Sequence, residues 1–155
     1  MSRTTRDLRP CSPSPDDETL RSMLVDEGLE LLTEAESLAL LATGDVGRVG
    51  VTIGALPAIF PVNYGMVGGN IVFRTAPGTK LTAATSSAVV AFEVDDFDRA
   101  TRSGWSVLAV GRADVVHDVE MAFKVLDAEI EPWAGGIRSC IVRIRPELVT
   151  GRRIV

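Results

Sequence analysis

The side chains best suited to chemistry lie close together in one stretch, Phe73-Arg74-Thr75-Ala76-Pro77-Gly78-Thr79-Lys80. Arg74 and Lys80 supply two positive charges, and Thr75 and Thr79 supply hydroxyl groups. Alternating apolar and polar residues before Thr75 predict the end of a strand, and Pro77 suits the first position of a following helix. The N–H groups of a helix's first turn attract anions. The stretch therefore predicts a phosphate-binding site, although an ordinary strand-to-helix connection with two solvated cations has the same pattern.

Histidine and cysteine chemistry is not favoured by this sequence. His117 is the sole histidine, which argues against a His-based metal site or a Ser-His-Asp triad. The two cysteines, Cys11 and Cys140, lie far apart and have neither metal-ligand spacing nor the number needed for a disulfide framework. We predict no metal site and assign no catalytic residue from the sequence.

Composition indicates one compact domain with a short appendage. The chain has 155 residues, 46% of them hydrophobic but only 5% aromatic, so the core must be aliphatic. A net charge of −5 argues against nucleic acid as the main partner. We see no apolar run of the roughly 20 residues that span a bilayer. The N-terminus lacks the apolar region of a secretory signal, so we expect a cytoplasmic protein that does not enter membranes.

The elements that must position the candidate site begin after an N-terminal extension, residues 1–32. Ser14-Pro15-Asp16-Asp17 favours a helix start there, followed by a weak apolar stripe at Leu20, Met23, Leu24 and Leu31. Thr33 and Glu36 have the spacing of a capping box, which predicts a helix that ends at Gly44. The compact domain itself, residues 33–155, starts at this helix.

From Val46 onward the apolar period changes to two, which predicts strands. The predicted strands are Val46–Ile53, Leu56–Tyr64, Ile71–Thr75, Ala88–Val94 buried on both sides, Trp105–Val115 curved at Gly111, and Ile137–Arg145 broken by Pro146, with an extended end over Leu148–Ile154. Pro57 and Pro61 within the second strand indicate an edge, a bulge or a ligand-facing segment. A helix is predicted to begin after Asp118, with one apolar face made of Val119, Ala122, Phe123, Leu126 and Ile130. This order favours a small, mainly β, six-stranded antiparallel barrel with short helices.

Four ordered motifs carry a resemblance to a known family. They are Phe60-Pro61-Val62-Asn63-Tyr64, Val72 to Leu81 with the stretch described above, Ala91-Phe92-Glu93-Val94-Asp95, and Gly104-Trp105-Ser106-Val107-Leu108. This pattern resembles the pyridoxamine 5′-phosphate oxidase-like proteins of the FMN-binding split-barrel superfamily, in the branch with the nitroimidazole-reductase-like proteins. The resemblance covers about Thr33 to Ile154. It implies a six-stranded split barrel, a homodimer with the cofactor at its interface, and a flavin (FMN)-dependent oxidoreductase acting on a small-molecule substrate.

The same resemblance implies which residues bind the cofactor. Arg74, Thr75 and Lys80 are expected at the FMN phosphate, the backbone around Pro61, Val62 and Asn63 along the flavin ring, and Trp105 and Ser106 at the cofactor, from the same or the partner subunit. The full expected set is Pro61, Val62, Asn63, Tyr64, Arg74, Thr75, Gly78, Lys80, Leu81, Trp105 and Ser106. Trp133 is a further candidate for the pocket wall.

Several alternatives stay open at the level of sequence. Some relatives bind the deazaflavin F420, which makes F420 an alternative cofactor. Others bind haem, and in this sequence His117 is the only imidazole that could serve as a haem ligand. A flavin store or sensor without turnover is a second alternative, and a structural dimer whose site has decayed is a third. The C-terminal Arg-x-His segment of genuine pyridoxamine phosphate oxidases is not found, which argues against vitamin B6 oxidation.

Some individual side chains fit two different interpretations. Tyr64 suits either a proton donor or a packed strand end. Glu93 and Asp95-Asp96 suit either an acid/base pair or the end of a strand before a turn. Cys140 alternates with Val142 and Ile144, which predicts an unreactive core thiol.

Overall fold

The computed structural model describes residues 29–154 of the chain, so the helix predicted after Ser14, and Cys11, lie outside the described residues. The elements are β1 (Leu29–Leu32), α1 (Glu34–Leu41), β2 (Val46–Ile53), β3 (Leu56–Val67), β4 (Asn70–Thr75), α2 (Lys80–Ala84), β5 (Ala88–Asp98), β6 (Ser103–Val116), α3 (Val119–Asp127) and β7 (Cys140–Ile154). Leu31, which the sequence placed on a helical stripe, lies in β1, where it pairs with Arg152.

The strands form one seven-stranded antiparallel sheet in the order β1-β7-β4-β3-β2-β5-β6. An additional pairing between β6 and β7 closes a ring of six strands, and β1 adds to β7 outside the ring. The predicted six-stranded antiparallel barrel is therefore confirmed. Closure leaves few exposed strand edges, because every ring strand has neighbours on both sides for at least part of its length.

The core fills the ring with aliphatic side chains and the aromatic rings of Tyr64, Phe73 and Phe92. Val49, Phe73, Val107 and Ile144 are fully buried, each from a different strand. The rings of Tyr64 and Phe92 meet edge to face, with centroids 4.8 Å apart and planes at 67°, a favourable aromatic geometry. The capping box is confirmed, since the Thr33 hydroxyl accepts from the N–H of Glu36 and the Glu36 carboxylate accepts from the N–H of Thr33. Helix α1 ends at Leu41, three residues before the predicted end at Gly44.

Two predictions about β5 were wrong. The strand is not buried on both sides, because Val90, Phe92 and Val94 point into the ring while Val89 is 59% exposed on its outside. A barrel strand has one inner and one outer face, so its residues alternate. The strand also continues past its predicted end at Val94 to Asp98, which pairs with Ser103, so the acidic residues after Val94 lie in the strand.

The last strand also differs from the prediction. Residues 140–154 form one continuous strand, and Pro146 lies within it opposite Gly111. The register shifts between Val110 and Gly111, which confirms the predicted irregularity of β6. The bulge accommodates a residue without an N–H group, so the proline does not end the strand. The strand begins at Cys140 and not at Ile137, which is 82% exposed.

The helix before β7 uses a different apolar face from the predicted one. Val119, Phe123 and Leu126 of α3 are 67%, 62% and 59% exposed, whereas Val125 is 1% exposed and Met121 packs beside it. Val125 joins a small cluster under β3 and β4 that also contains Ile130, the one member of the predicted face that is buried. The pattern correctly predicted the helix but not its orientation, because apolar residues lie on both of its sides.

Candidate functional site

The site predicted at the end of β4 lies where two neighbouring strands separate. Strands β3 and β4 pair from Val67–Asn70 to Tyr64–Phe73, and the pairing stops there. Strand β3 nevertheless continues to Leu56 and β4 continues to Thr75. The edge of β3 before Tyr64 is therefore unpaired on the β4 side, which confirms the edge that Pro57 and Pro61 predicted.

A cavity of about 310 Å³ opens in this gap, and we call it the cation-lined cavity. Its walls are Phe60, Pro61, Val62 and Asn63 of β3, Arg74 and Thr75 of β4, Thr79, Lys80 and Leu81 of the α2 region, and Pro132, Ala134 and Arg138 of the segment before β7. Of the predicted cofactor residues, the structure thus brings together Pro61, Val62, Asn63, Arg74, Thr75, Lys80 and Leu81. Gly78, Tyr64, Trp105 and Ser106 are not among the lining residues.

The charge of the cavity is wholly positive. Arg74, Lys80 and Arg138 line it, and no Asp or Glu is among the described residues that do. This is notable in a chain whose acidic residues outnumber its basic ones, 21 to 16. Three cations around one concave space favour an anionic ligand, since low-dielectric walls strengthen their field.

The turn between β4 and α2 differs from the prediction. Pro77 is not the first residue of the helix, because Gly78 follows it with φ +72°, a left-handed conformation outside a helix. Thr79 is the N-cap instead, and its hydroxyl accepts from the N–H of Thr82 and donates to the Ala76 carbonyl. Helix α2 has only five residues, so side chains rather than a helix dipole supply the positive field.

The two threonines of the turn consequently have different roles. The Thr79 hydroxyl is used to cap α2. Thr75 is 3% exposed and lies in the cavity wall, and within residues 29–154 no side-chain hydrogen bond occupies its hydroxyl. Thr75 is therefore the hydroxyl better placed to donate to a ligand.

The β3 wall presents main-chain groups to the cavity. The N–H of Tyr64 donates to the Asp45 carbonyl on the β2 side. Because N–H groups alternate in direction along a strand, the N–H of Asn63 points the opposite way, toward the unpaired edge. The N–H of Pro61 would point in the same direction, and proline has none, so its presence costs no ladder hydrogen bond.

Asn63 also holds the segment before β7 through its side chain. Its Oδ1 accepts a hydrogen bond of 2.8 Å from the main-chain N–H of Trp133. The Trp133 side chain is 77% exposed and borders a neighbouring cavity that Asp45, Glu129 and Glu131 also line. Its ring does not line the cation-lined cavity, and its N–H positions that cavity's wall.

Tyr64 is placed in the core. Its side chain is 5% exposed, and its hydroxyl donates to the Leu41 carbonyl. Burial raises the pKa of Tyr64 to about 12, so the phenol holds its proton firmly at neutral pH. This environment favours a packing role for Tyr64 at the end of its strand over a role as a proton donor.

Trp105 and Ser106 lie on opposite faces of β6, as successive strand residues must. Trp105 is half-buried and packs against the core inside the ring. Ser106 is on the outside, where it borders a shallow groove with Glu93, Thr150 and Arg152. Neither side chain lines the cation-lined cavity of its own chain.

Two carboxylates of β5, Glu93 and Asp95, form salt bridges with an arginine. Nη1 of Arg48 lies 2.9 Å from Glu93 and 3.0 Å from Asp95 on the outside of the ring. Burial raises the pKa of Glu93, an effect that the hydrogen bond from Arg48 opposes. These groups form a cross-strand ion pair, which the sequence did not predict, because the pairing depends on the register of β2 against β5.

Cys140 and His117 lie outside the candidate chemistry. Cys140 is a free thiol that is only half-buried at the start of β7, whereas Val142 and Ile144 on the same face are fully buried. His117 is exposed between β6 and α3.

Arg138 is a lining residue of the cavity that the sequence did not predict. Its Nε donates to the Ala134 carbonyl. Its own carbonyl accepts a hydrogen bond of 3.0 Å from Nε of Arg74. No local motif marks this residue, and its proximity to Arg74 follows only from the pairing of Arg74 with Ile141.

Within residues 29–154, no helix has the length and apolar character needed to cross a membrane.

The structure is thus a small split β-barrel with a cavity between two diverging strands, lined by three cationic residues. The profile of the pyridoxamine 5′-phosphate oxidase family matches residues 33–153. The chain belongs to this family, as its motifs predicted.

Several similar proteins come from mycobacteria and corynebacteria. An uncharacterized protein of Mycobacterium tuberculosis is 42% identical over 129 residues, covering 80% of this chain and 84% of that protein. A solved FAD binding protein from Mycobacterium smegmatis is 32% identical, with a TM-score of 0.65 over 82% of this chain and 99% of that one. A candidate pyridoxamine 5′-phosphate oxidase from Corynebacterium glutamicum is 30% identical, with a TM-score of 0.70 over 84% and 96% of the two chains.

The branch suggested by the sequence has a structural counterpart. A candidate 5-nitroimidazole antibiotic resistance protein from Bacteroides thetaiotaomicron has a TM-score of 0.64 over 82% of this chain and 89% of that one, at 14% identity. At this identity the likeness establishes a common fold only.

Proposed function

We propose that this protein binds a flavin nucleotide in the cation-lined cavity and acts as a flavin-dependent oxidoreductase. The observation that carries the proposal is the position of Arg74, Thr75 and Lys80 around one cavity at the end of β4. Two cations and a hydroxyl are a donor set that fits a phosphoryl group. The identity of the ligand as a flavin is inferred from family membership, because the fold does not by itself identify a ligand.

The wall formed by β3 suits the ring of such a cofactor. Phe60, Pro61 and Val62 give it an apolar surface, and the N–H of Asn63 points to the same edge. An amide N–H here would donate to a ring nitrogen or oxygen of the flavin. A bound flavin supplies hydride transfer, and the residues around it bind, orient and exclude water rather than act as acids or bases.

The sequence favours FMN, and the similar FAD binding protein from Mycobacterium smegmatis makes FAD a second candidate. The shared chemistry is a phosphorylated ribityl tail. The deazaflavin F420 also carries a phosphoryl group and remains an alternative. A titration of the purified protein with FMN, FAD, F420 and riboflavin, followed by flavin fluorescence and absorbance, distinguishes them.

The matched variants for this titration are Arg74→Gln and Arg99→Gln. Arg99 lies on the exposed hairpin between β5 and β6, away from the cavity. We expect Arg74→Gln to weaken binding of the preferred nucleotide by about 2 kcal/mol, roughly 30-fold, because a charge-assisted hydrogen bond is lost. Arg99→Gln should bind as the wild type does. Absence of binding of all four ligands by the wild type would overturn the proposal.

Turnover separates an oxidoreductase from a flavin store. The loaded protein is mixed anaerobically with NADH, NADPH or reduced F420, and the flavin absorbance is followed. Bleaching by one of these donors at a rate above that of unbound flavin supports the enzyme. A flavin that no donor reduces supports the store or sensor.

We also propose that the protein is a homodimer. Ile59, 71% exposed, is in register with Gly50, and the row continues through Ala91, Val110 and Leu148 on the outside of five adjacent strands. This uncharged row starts on β3, beside the cation-lined cavity. An exposed and uncharged row of this kind suits contact with a second copy of the chain.

The dimer proposal is tested by light scattering on Ile59→Asp and Val119→Asp. Val119 is similarly exposed, at 67%, but lies on α3. We expect a dimeric wild type, a monomeric or weakened Ile59→Asp, and an unchanged Val119→Asp. A monomeric wild type, or the opposite response of the two variants, would reject this surface.

A further inference from the structure

The segment between α3 and β7 is built as a wall of the cation-lined cavity. Ile130, 6% exposed, packs so closely on Gly65 of β3 that a Cβ there would lie 2.8 Å from its Cδ1. The N–H of Trp133 is bonded to Asn63, and the carbonyl of Arg138 is bonded to Arg74. Contacts to β3 and β4 therefore hold both ends of the segment against the cavity.

Arg138 and Arg74 both line the cavity, and a main-chain carbonyl holds each side chain in the same manner. Nε of Arg138 donates to the Ala134 carbonyl at 3.1 Å, and Nε of Arg74 donates to the Arg138 carbonyl at 3.0 Å. Each guanidinium is thus oriented by a main-chain bond, and its terminal nitrogens remain for other partners. Within residues 29–154 neither guanidinium forms a salt bridge with a carboxylate. Such planar donor pairs match the oxygens of a phosphoryl group.

We infer that Arg138 is a direct ligand of the phosphoryl oxygens of the bound nucleotide and determines selectivity for phosphorylated flavins. The inference rests on the proposed function for the identity of the ligand. Among the described residues, the wall has three cationic residues and no carboxylate, so the cavity favours ligands with a negative charge. Riboflavin has the same ring as FMN but no phosphate, and it therefore lacks these charge-assisted contacts. The carbonyl of Arg138 additionally orients Arg74, so the segment contributes to both guanidinium positions.

The test compares Arg138→Gln, Arg74→Gln and Arg99→Gln for binding of FMN, FAD and riboflavin. We expect Arg138→Gln to raise the dissociation constant for the preferred nucleotide by about 10-fold or more, and that for riboflavin by less than about 2-fold. A loss for FAD alone assigns Arg138 to the second phosphoryl group, and a loss for both nucleotides assigns it to the shared one. Equal losses for nucleotide and riboflavin, or no loss relative to Arg99→Gln, would overturn the inference.

A second measurement separates this inference from the proposed function. Inorganic pyrophosphate is added to each variant, and the shift of the melting temperature is recorded. We expect stabilisation of the wild type that is reduced in Arg138→Gln and in Arg74→Gln. Flavin binding that depends on Arg74 but not on Arg138 refutes the inference alone. Pyrophosphate binding that depends on Arg138, in a protein that binds no flavin, refutes the proposed function and keeps the anion site. A wild type that binds neither refutes both.

Discussion

Arg74 of β4 donates from Nε to the main-chain carbonyl of Arg138, at 3.0 Å and across 64 residues of chain. The bond joins the residue on which the phosphate prediction depended to a segment that no motif identified. Because Nε is used in this bond, the guanidinium has a fixed orientation with its terminal nitrogens available to a ligand. A charge held in this way loses less side-chain entropy on binding than a solvated one.

The two lysines of the chain offer a matched pair of substitutions. Lys80 lines the cavity, whereas Lys124 on α3 pairs with Glu120 at 2.8 Å and lies elsewhere. We expect Lys80→Gln to weaken flavin nucleotide binding by about 1–2 kcal/mol and to reduce its salt dependence, because one cation facing the phosphate is removed. Lys124→Gln should change neither. Titrations at low and at high salt measure both effects, and similar losses in the two variants would place the phosphate outside this cavity.

Tyr64 should matter for stability and not for cofactor binding. Tyr64→Phe removes the hydroxyl that donates to the Leu41 carbonyl in the core, which we expect to cost about 1–2 kcal/mol of the free energy of unfolding. Flavin affinity should remain within about 2-fold, since the side chain does not line the cavity. Urea unfolding and flavin titration of one preparation give both numbers. If Tyr64→Phe leaves the free energy of unfolding unchanged but strongly reduces flavin affinity, Tyr64 contacts the cofactor and the prediction is wrong.

The raised pKa of Tyr64 adds a pH dependence. The folded-state value of about 12 is higher than that of an exposed tyrosine, so its contribution to stability is complete below about pH 10 and falls as pH rises toward the folded value. We expect this alkaline loss to be smaller in Tyr64→Phe, measured by unfolding at pH 9 and pH 11. An identical alkaline decline in the two proteins would exclude the buried phenol as its source.

Gly111 should be far less tolerant of a side chain than Gly50. A Cβ on Gly111 would collide with the main-chain carbonyl of Arg145, whereas the nearest atom to a Cβ on Gly50 is the Ala91 Cβ at an ordinary 3.5 Å. We expect Gly111→Ala to destabilise the protein by about 2 kcal/mol or more, because backbone must move at the bulge. Gly50→Ala should be neutral within about 1 kcal/mol. Unfolding midpoints measure this at one protein concentration, with the oligomeric state checked, and equal midpoints would contradict the close approach of β6 and β7.

The capping box predicts an acid-sensitive contribution to stability. Hydrogen bonds from the Thr33 side chain and main chain lower the pKa of Glu36. A lowered folded-state pKa gives stability that is present above the unfolded-state pKa, about 4.3, and is lost as pH falls through the folded value. Glu36→Gln should therefore be less stable than the wild type at pH 7, and this difference should shrink at pH 3.

The matched control is Glu34→Gln in the first turn of the same helix, which makes no capping bond. Its difference from the wild type should change less with pH than that of Glu36→Gln. If the Glu36→Gln difference is the same at both pH values, the carboxylate does not cap the helix in solution.

Local signals in the sequence determined the six ring strands and part of the candidate site. Alternation and turn residues located the ring strands, Thr33 and Glu36 located the start of α1, and Arg74, Thr75 and Lys80 identified one wall of the cavity. These predictions succeeded because each depends on residues a few positions apart, where backbone geometry alone fixes the relation. The orientation of α3 could not be read in this way, since Val119 and Val125 are both apolar and packing selects between them.

Tertiary structure decided everything that depends on strand register. Pairing of Arg74 with Ile141 brings Arg138 to the cavity, and pairing of Arg48 with Glu93 turns a candidate acid/base pair into an ion pair. The separation of β3 from β4 beyond Tyr64 creates the cavity itself. Such relations join residues tens of positions apart, and they follow from closing the ring as a whole, which no short stretch of sequence encodes.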